Sequence, residues 1–328
     1  MRGDDKVTLS VIAPIYNEVD SLPELHRRVR EVMEDMGEPW ELLLIDDGST
    51  DGSVDLIRHL SRTDDHIRPV IFARNFGHQL AVTAGMDYSR GQAVVVIDAD
   101  LQDPPEVIPD LVAQWHQGYQ VVYAVRRERR GEGWFKRTTA SLFYRVIYRI
   151  TDVDIPLDTG DFRLLDRQVV TALKQMRERH RFLRGMSSWV GFDQVGVPYD
   201  RDPRFAGETK YSLGKMVRFA LNAVTSFSYF PLQLATYFGF VSAALSAIAI
   251  PVVIVLRLMG NQAFFGQAST LIAVLFLGGV QLISLGILGE YIGRLYDEAK
   301  GRPLYVVRQA PEMPDRTLSN GGTTKADD

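Results

Sequence analysis

Short apolar runs alternate with amphipathic stretches from residue 7 to about residue 125: VTLSVIAPIYNE, WELLLIDDGS, IRPVIFARN, AVVVIDAD and YQVVYAV, with helical spacing between them. Runs rich in β-branched residues, separated by segments of 3.6-residue period, predict a βαβ succession. The fold class expected is therefore α/β, an open and mostly parallel sheet covered by helices. SLPE, from Ser21 to Glu24, has capping-box spacing with an early proline, and STDGS from Ser49 opens a further helix with small polar residues. A sheet of this kind binds ligands beyond the carboxyl ends of its strands. Three of those ends carry side chains that a core would reject: Pro14, Asn17 and Glu18 after the first, Asp46 and Asp47 after the second, and Asp98, Asp100 and Asp103 after the fourth. If the strands are parallel, all three groups face one crevice.

The second half has a different pattern. No charged residue occurs from about Leu232 to Leu256, nor from about Ala268 to Gly289. Each run exceeds the roughly 20 residues needed to cross a bilayer core, so two transmembrane helices are expected, at about 232–256 and 268–289. Lys210, Lys215 and Arg218 precede the pair and Arg294, Lys300 and Arg302 follow it, whereas the connecting loop has only Arg257 at its edge. The positive-inside rule then puts both flanks, and with them the N-terminal domain and both termini, in the cytoplasm. Between Trp134 and Ile150, Leu142, Phe143, Val146, Ile147 and Ile150 recur at helical spacing among Lys136, Arg137, Arg145 and Arg149. Tyr211 to Tyr229 has the same character, and both segments suit helices lying in the membrane interface. The organisation expected is a cytoplasmic domain at 1–210, a juxtamembrane helix at 211–230, a hairpin at 231–292, and a cytoplasmic C-terminal segment at 293–328, disordered after about 308.

Composition narrows the chemistry. With 46% hydrophobic residues among 328, the chain can bury a sizeable core. A net charge of -4 and a pI near 5.9 give no global basic field for nucleic acid. The absence of cysteine excludes disulfides, thiolate catalysis and Cys-ligated metal sites. MRGDDKVTLS has no apolar core of a signal peptide, so no cleavable signal is expected. The histidines, His78 in NFGHQ included, fall in no metal-binding spacing and read as structural or surface residues.

Two carboxylates one residue apart at a strand end can converge on a hard divalent cation once the strand breaks into a loop. Magnesium and manganese favour such ligands, completed by substrate phosphates and water. The chain has neither a GxGxxG nor a GxxxxGK[ST] loop, so no glycine cradle for phosphates is present. Cation neutralisation of a diphosphate is what remains for VVVIDADLQDPPE.

APIYNE, IDDGSTDGS, ARNFGHQLAVTAGMDYSRG, VIDADLQDPPE, LDTGDFRLLDR and AGETKYSLGKM come in this order, followed by apolar spans that end in QLISLGILGEYIGRLYDEAKGRP. This set resembles glycosyltransferase family 2, and within it the polyprenyl-phosphate glycosyltransferases of the bactoprenol glucosyltransferase and dolichol-phosphate mannose synthase group. The resemblance covers about residues 7 to 308. It implies a GT-A catalytic domain, Mg2+ or Mn2+, inversion at the anomeric carbon, and a polyprenyl (undecaprenyl) phosphate acceptor at the face of the plasma (inner) membrane. The nucleotide-sugar donor it implies is UDP-glucose ahead of GDP-mannose, and relatives with a paired-helix anchor suggest a homo-oligomer such as a tetramer.

By position in the family's motifs, Pro14, Tyr16, Asn17 and Glu18 would line the nucleotide pocket, with Asp46 near the base or ribose. Asp98 and Asp100 match the D-x-D, Asp100 being the surer metal ligand, and Gln102 would assist at the metal. Asp161 in TGDFR matches a catalytic carboxylate, and Asp158 stands as the alternative. A lipid monophosphate is largely a dianion at neutral pH and needs cations more than a base. Arg126, Arg137, Arg163, Arg204 and Lys210 are the candidates to seat it, with Arg163 alternatively an anchor for Asp161. A processive polysaccharide synthase is a poorer match, because neither Q-x-x-R-W nor further spans are present. A membrane-tethered nucleotide-binding scaffold with an inactive transferase fold is the alternative from another class.

Overall fold

The computed structural model describes residues 7–127, 159–202, 230–259 and 267–311. The five apolar runs form β1 (Leu9–Ile15), β2 (Trp40–Asp46), β3 (Ile67–Phe72), β4 (Ala93–Val96) and β5 (Val121–Arg126). Helices α1 (Leu22–Met36), α2 (Ser53–Thr63), α3 (His78–Tyr88) and α4 (Ile108–His116) connect them. After these come β6 (Thr159–Asp166), α5 (Arg167–Gln175), α6 (Leu183–Trp189) and β7 (Gln194–Tyr199). α7 (Phe230–Leu258) and α8 (Gln267–Ala299) are the two long apolar helices, and β8 (Val307–Gln309) ends the described chain.

One eight-stranded sheet results, in the order β7-β5-β6-β4-β1-β2-β3-β8. β1 pairs in parallel with β2 and β4, β2 with β3, and β5 with β7. β6 is antiparallel to both β4 and β5, and β8 is antiparallel to β3. β1 and β2 are buried at every position, as strands covered on both faces must be. Leu22, Leu25, Val29, Leu111 and Phe162 pack on one face of the sheet, and Phe72, Ala81, Val94, Val170 and Met186 on the other.

The reversed direction of β6 has the largest consequence. A strand inserted antiparallel between two parallel neighbours starts where they end. Val96 pairs with Arg163 and Val125 with Thr159, so the first residues of β6 meet the carboxyl ends of β4 and β5.

Ser21 does not form the expected capping box. It has helical φ and ψ, and its hydroxyl donates back to the Glu18 carbonyl at 3.2 Å and the Glu18 carboxylate at 3.1 Å. With Ser21 itself already helical, its oxygen is not set to accept from the Glu24 amide, the bond that a capping box requires. At α2, Gly52 takes the left-handed conformation and Asp51 accepts from the Ser53 amide at 3.0 Å.

α7 and α8 contain apolar windows, Pro231–Val252 and Phe276–Ala299, long enough to cross a membrane and with no buried share. α8 runs ten residues past Gly289, where the charge-free run ends, and includes Glu290, Arg294, Asp297 and Glu298. The chain then returns to the sheet. Tyr305 stacks on Phe72 at 5.1 Å between ring centroids and donates to Asp87 at 2.6 Å, and β8 adds to the β3 edge.

Candidate active site

The site is built from loops that follow the parallel strands. β1 delivers Pro14 within its last residues, then Tyr16, 46% exposed, and Asn17 at φ 55°. The Asn17 side chain accepts from the Thr50 amide at 2.8 Å, and its own amide donates to Ser49 Oγ at 3.0 Å. The Glu18 amide donates to Ser53 Oγ at 3.2 Å and that of Val19 to Asp51 Oδ2 at 3.0 Å. The loops carrying APIYNE and DDGSTDGS are thus stitched together, which holds Tyr16 over the crevice.

Asp46 and Asp47 turn inward. Asp46 is fully buried and accepts from the Gly48 amide at 3.0 Å and the Ser49 amide at 3.2 Å. Asp47 accepts from the Phe76 amide at 2.6 Å and the Gly77 amide at 2.9 Å, tying the second loop to the start of α3. Gly48, at φ 72°, has no room for a side chain: a Cβ would lie 2.5 Å from the Asn75 nitrogen. Asp46 therefore shapes the turn beneath the expected nucleotide pocket, and its carboxylate is spent on backbone amides.

The acids after β4 divide. Asp103 is fully buried, accepts from the Tyr199 hydroxyl and lies 3.6 Å from Arg201 Nε. Tyr199 also accepts from Arg126 Nε at 3.3 Å, so Asp103 belongs to the wall that carries Arg126. Asp98 and Asp100 remain in the crevice, part-exposed. Between them and Gln102, Leu101 takes φ 57°, an uncommon conformation for a side-chain-bearing residue, and Asp100 Oδ1 accepts from the Gln102 amide at 3.2 Å. Desolvation pushes the Asp98 carboxyl up to about 6; His78 counters this, and the charges of Asp161, Asp103 and Asp100 add to it.

Asp161 enters from β6. Its Oδ2 receives His78 Nε2 at 3.1 Å and Gln79 Nε2 at 3.2 Å, and its Oδ1 receives Arg184 Nη2 at 3.4 Å. His78 Nε2 lies 3.7 Å from Asp98 and so bridges the two carboxylates. Desolvation works against ionisation of Asp161, but the hydrogen bond and charge of His78 and the guanidiniums of Arg184 and Arg163 hold its carboxyl well below the usual range. The same contacts act on His78: desolvation would lower its pKa, yet Asp161, Asp98 and Asp47 carry it up to about 9.

Arg163 sits beneath this group rather than in the opening. It is 5% exposed and donates to Ser187 Oγ at 2.6 Å and to the Gly160 carbonyl at 3.0 Å, with Asp161 at 4.0 Å. Burial pushes its guanidinium down to about 10. Of the two roles open to Arg163, this geometry suits the anchor better than the phosphate contact, because the side chain is buried and donates inward. Arg126 reaches the crevice wall at the end of β5, close enough to β6 that a Cβ on Gly160 would lie 3.0 Å from its Nη2. Asp158, Arg137, Arg204, Lys210 and both expected interface helices lie outside the described residues.

The crevice thus joins Asp98, Asp100 and Gln102 to Asp161 and Arg126. Reasoning from sequence missed His78, Gln79 and Arg184. His78 and Gln79 were signalled only by their place in NFGHQ at the start of α3. Among the described residues no three His, Asp or Glu side chains are grouped as a ready-made metal cage. The donor set nevertheless fits a hard divalent ion that takes its remaining ligands from phosphate and water: two oxygen-bearing side chains lie one residue apart, and Asp98 is crowded by like charge.

Comparison with known proteins agrees with this reading at the level of family. The family model for glycosyl transferase family 2 matches residues 10–173. The chain is 47% identical over 312 residues to an uncharacterized glycosyltransferase, YkcC, of Bacillus subtilis, covering 95% of this chain and 97% of that one. It is 42% identical over 301 residues to a prophage bactoprenol glucosyl transferase homolog of Escherichia coli, covering 92% and 98%. Among solved structures, a mannosyltransferase of Pyrobaculum calidifontis in complex with GDP-Man and Mn2+ is similar at TM-score 0.45 and 16% identity, covering 90% of this chain and 88% of that one. On the extent and identity of the sequence matches, the chain belongs to glycosyl transferase family 2 and is a glycosyltransferase.

Proposed function

We propose that this protein is a membrane-bound inverting glycosyltransferase that moves glucose from UDP-glucose onto a polyprenyl phosphate, undecaprenyl phosphate being the expected acceptor. The observation that carries the proposal is the meeting of Asp98 and Asp100, from the end of β4, with Asp161, from the start of the antiparallel β6. Relatives 41–42% identical, named bactoprenol glucosyl transferases, support the sugar and the lipid class. The basic flanks of α7 and α8 support a catalytic domain and termini on the cytoplasmic side of the plasma membrane.

In this reading the donor lies over the β1 and β2 loops with its diphosphate toward the end of β4. Asp98 and Asp100, with Gln102, would hold Mg2+ or Mn2+, which supplies charge neutralisation to the departing nucleoside diphosphate. Arg126 seats the acceptor phosphate, with Arg137, Arg204 and Lys210 as its expected companions. The acceptor is already a nucleophile at neutral pH, its second pKa being about 6. Asp161 has little to gain as a base, since His78, Arg184 and Arg163 outweigh its desolvation and hold its carboxyl ionised and low. Its role is to fix the geometry of attack opposite the nucleotide, through His78 and by repelling a misplaced phosphate.

The test is a panel of radiolabelled nucleotide sugars, GDP-mannose included, offered with undecaprenyl phosphate to the full-length protein, with and without EDTA. Lipid-extractable label from UDP-glucose, lost on chelation and restored by Mg2+ or Mn2+, is expected. Label in no lipid product from any donor would sink the acceptor assignment, and label indifferent to EDTA would sink the metal assignment.

A further inference from the structure

Asp161 is held by side chains that belong to two different parts of the molecule. His78 and Gln79 come from the start of α3, on the rigid sheet, whereas Arg184 comes from α6. α6 is short, and it is reached through residues 176–182, which form no helix or strand. That segment is tied to the site, because the Leu183 amide donates to Gln79 Oε1 at 3.0 Å while Gln79 Nε2 donates to Asp161. Two of the bonds around the carboxylate therefore depend on where residues 183 and 184 are held.

The other side of the segment is tied to the membrane helix. The Arg179 amide donates to Glu298 Oε1 at 2.6 Å, and the Arg179 guanidinium donates to the Arg302 carbonyl at 2.5 Å. His180 Nε2 lies 3.8 Å from Asp297. Arg181 donates to the Met176 carbonyl within the segment and, at 3.1 Å, to the Leu173 carbonyl in α5, which stiffens the loop against that helix. Arg177 and Tyr305 share Asp87 at 2.9 and 2.6 Å, fastening the chain after α8 to the end of α3. Hydrogen bonds and the intervening chain thus connect Glu298 through Arg179 to Leu183, Arg184 and Asp161.

We infer that Glu298, at the end of α8, is a positioning residue for Asp161, and that residues 176–184 are a clip through which the seating of the apolar helix sets the geometry of the active site. The inference rests on the reading of Asp161 as part of the transfer site. Its physical basis is the stiffness of α8. The helix continues about 15 Å past Gly289, where its charge-free run ends, at 1.5 Å per residue, so its last turn moves with the part embedded in lipid. A charged acceptor on a backbone amide is among the stronger hydrogen bonds, and misplacement of a reacting group by about 1 Å can cost up to about 100-fold in rate. Glu298 is exposed, so its truncation removes no core contact.

The experiment uses the full-length protein in lipid nanodiscs and the variants Glu298→Ala, Glu298→Gln, Arg184→Ala and the Glu298→Ala/Arg184→Ala double. Glu298→Ala is expected to lower kcat for transfer from UDP-glucose to undecaprenyl phosphate about 10-fold, leaving KM for the donor and the melting temperature in place. Glu298→Gln, which keeps a carbonyl acceptor for the Arg179 amide, should recover most of the loss. Because Glu298 and Arg184 act through one route, the double variant should be no worse than Arg184→Ala alone; additive losses would overturn the inference. Hydrogen exchange supplies a readout independent of turnover: in Glu298→Ala the Leu183 amide should exchange faster, and unchanged protection across residues 179–184 overturns the clip. A wild-type protein that transfers to no polyprenyl phosphate would defeat the transfer reading instead, and exchange alone would then decide the clip.

Discussion

Two acids at opposite ends of the same sheet, Glu41 and Asp98, are treated in opposite ways. At the amino end, Glu41 is 1% exposed and fully engaged: it accepts from Ser10 Oγ at 2.6 Å, the Arg90 amide at 2.7 Å, Arg68 at 2.8 Å and Arg90 Nε at 2.9 Å. Burial works to raise its pKa, but the Ser10, Arg90 and Arg68 contacts bring it below the usual value. At the carboxyl end, Asp98 has His78 at 3.7 Å and three acids around it, and it is pushed up to about 6. The first arrangement closes a charge account within the fold and ties β1, β2 and β3 together. The second leaves negative charge that a bound cation would relieve, at the cost of native-state stability.

The strongest way to break this comparison is Asp100→Asn. Transfer should fall by about 10³-fold while the melting temperature holds or rises, since one of the charges pressing on Asp98 is gone. Activity assays beside thermal melts read both, and a large loss of stability would place Asp100 with the structural acids.

Glu41→Ala should do the reverse. It takes the carboxylate from Arg68, 9% exposed, leaving the Tyr88 carbonyl at 3.0 Å, and should cost about 3 kcal/mol of stability, seen as a fall in the denaturation midpoint. Turnover per folded molecule should be unchanged, because Glu41 lies at the far end of the strands.

His78→Asn sharpens the functional side, removing the bridge between Asp161 and Asp98. About a 10-fold loss of kcat is expected, the size of one charge-assisted hydrogen bond, with donor KM little altered.

The smallest effect concerns pH. Asp64, buried at the amino end, bonds to His26 at 2.9 Å and to His66 at 2.8 Å; burial opposes its ionisation, yet these partners hold its carboxyl down at about 2. Its folded pKa lies below the unfolded value of about 3.9, so its contribution is present above about pH 4 and is lost as pH falls toward 2. Melts in steps from pH 5 to pH 2.5 should show Asp64→Asn losing less stability over that window than the wild type does.

Much of the fold was legible along the chain. Five β-branched runs became β1 to β5, and two charge-free runs lie within α7 and α8, because strand and helix period and the absence of charge are local properties. β8 was not legible: Val307–Gln309 is three residues long and is a strand only because the β3 edge offers it partners. Nor was the direction of β6, since alternation in TGDFRLLD reads the same whichever way the strand runs. The missing capping box at Ser21 has the same origin, because its spacing was right while its helical backbone conformation is something that spacing does not describe.

By itself, the sequence determined where the strands end, that Asp98 and Asp100 stand at one of those ends, and that two stretches are apolar enough to span a bilayer. These are matters of order, period and composition. Only the tertiary structure decided that Asp46, Asp47 and Asp103 turn into the fold, that Asp161 arrives opposite Asp98 on a reversed strand, and that His78 stands between them. The reason is physical: whether a carboxylate is structural or chemically available depends on desolvation and on charges within a few ångströms, and those neighbours come from distant parts of the chain.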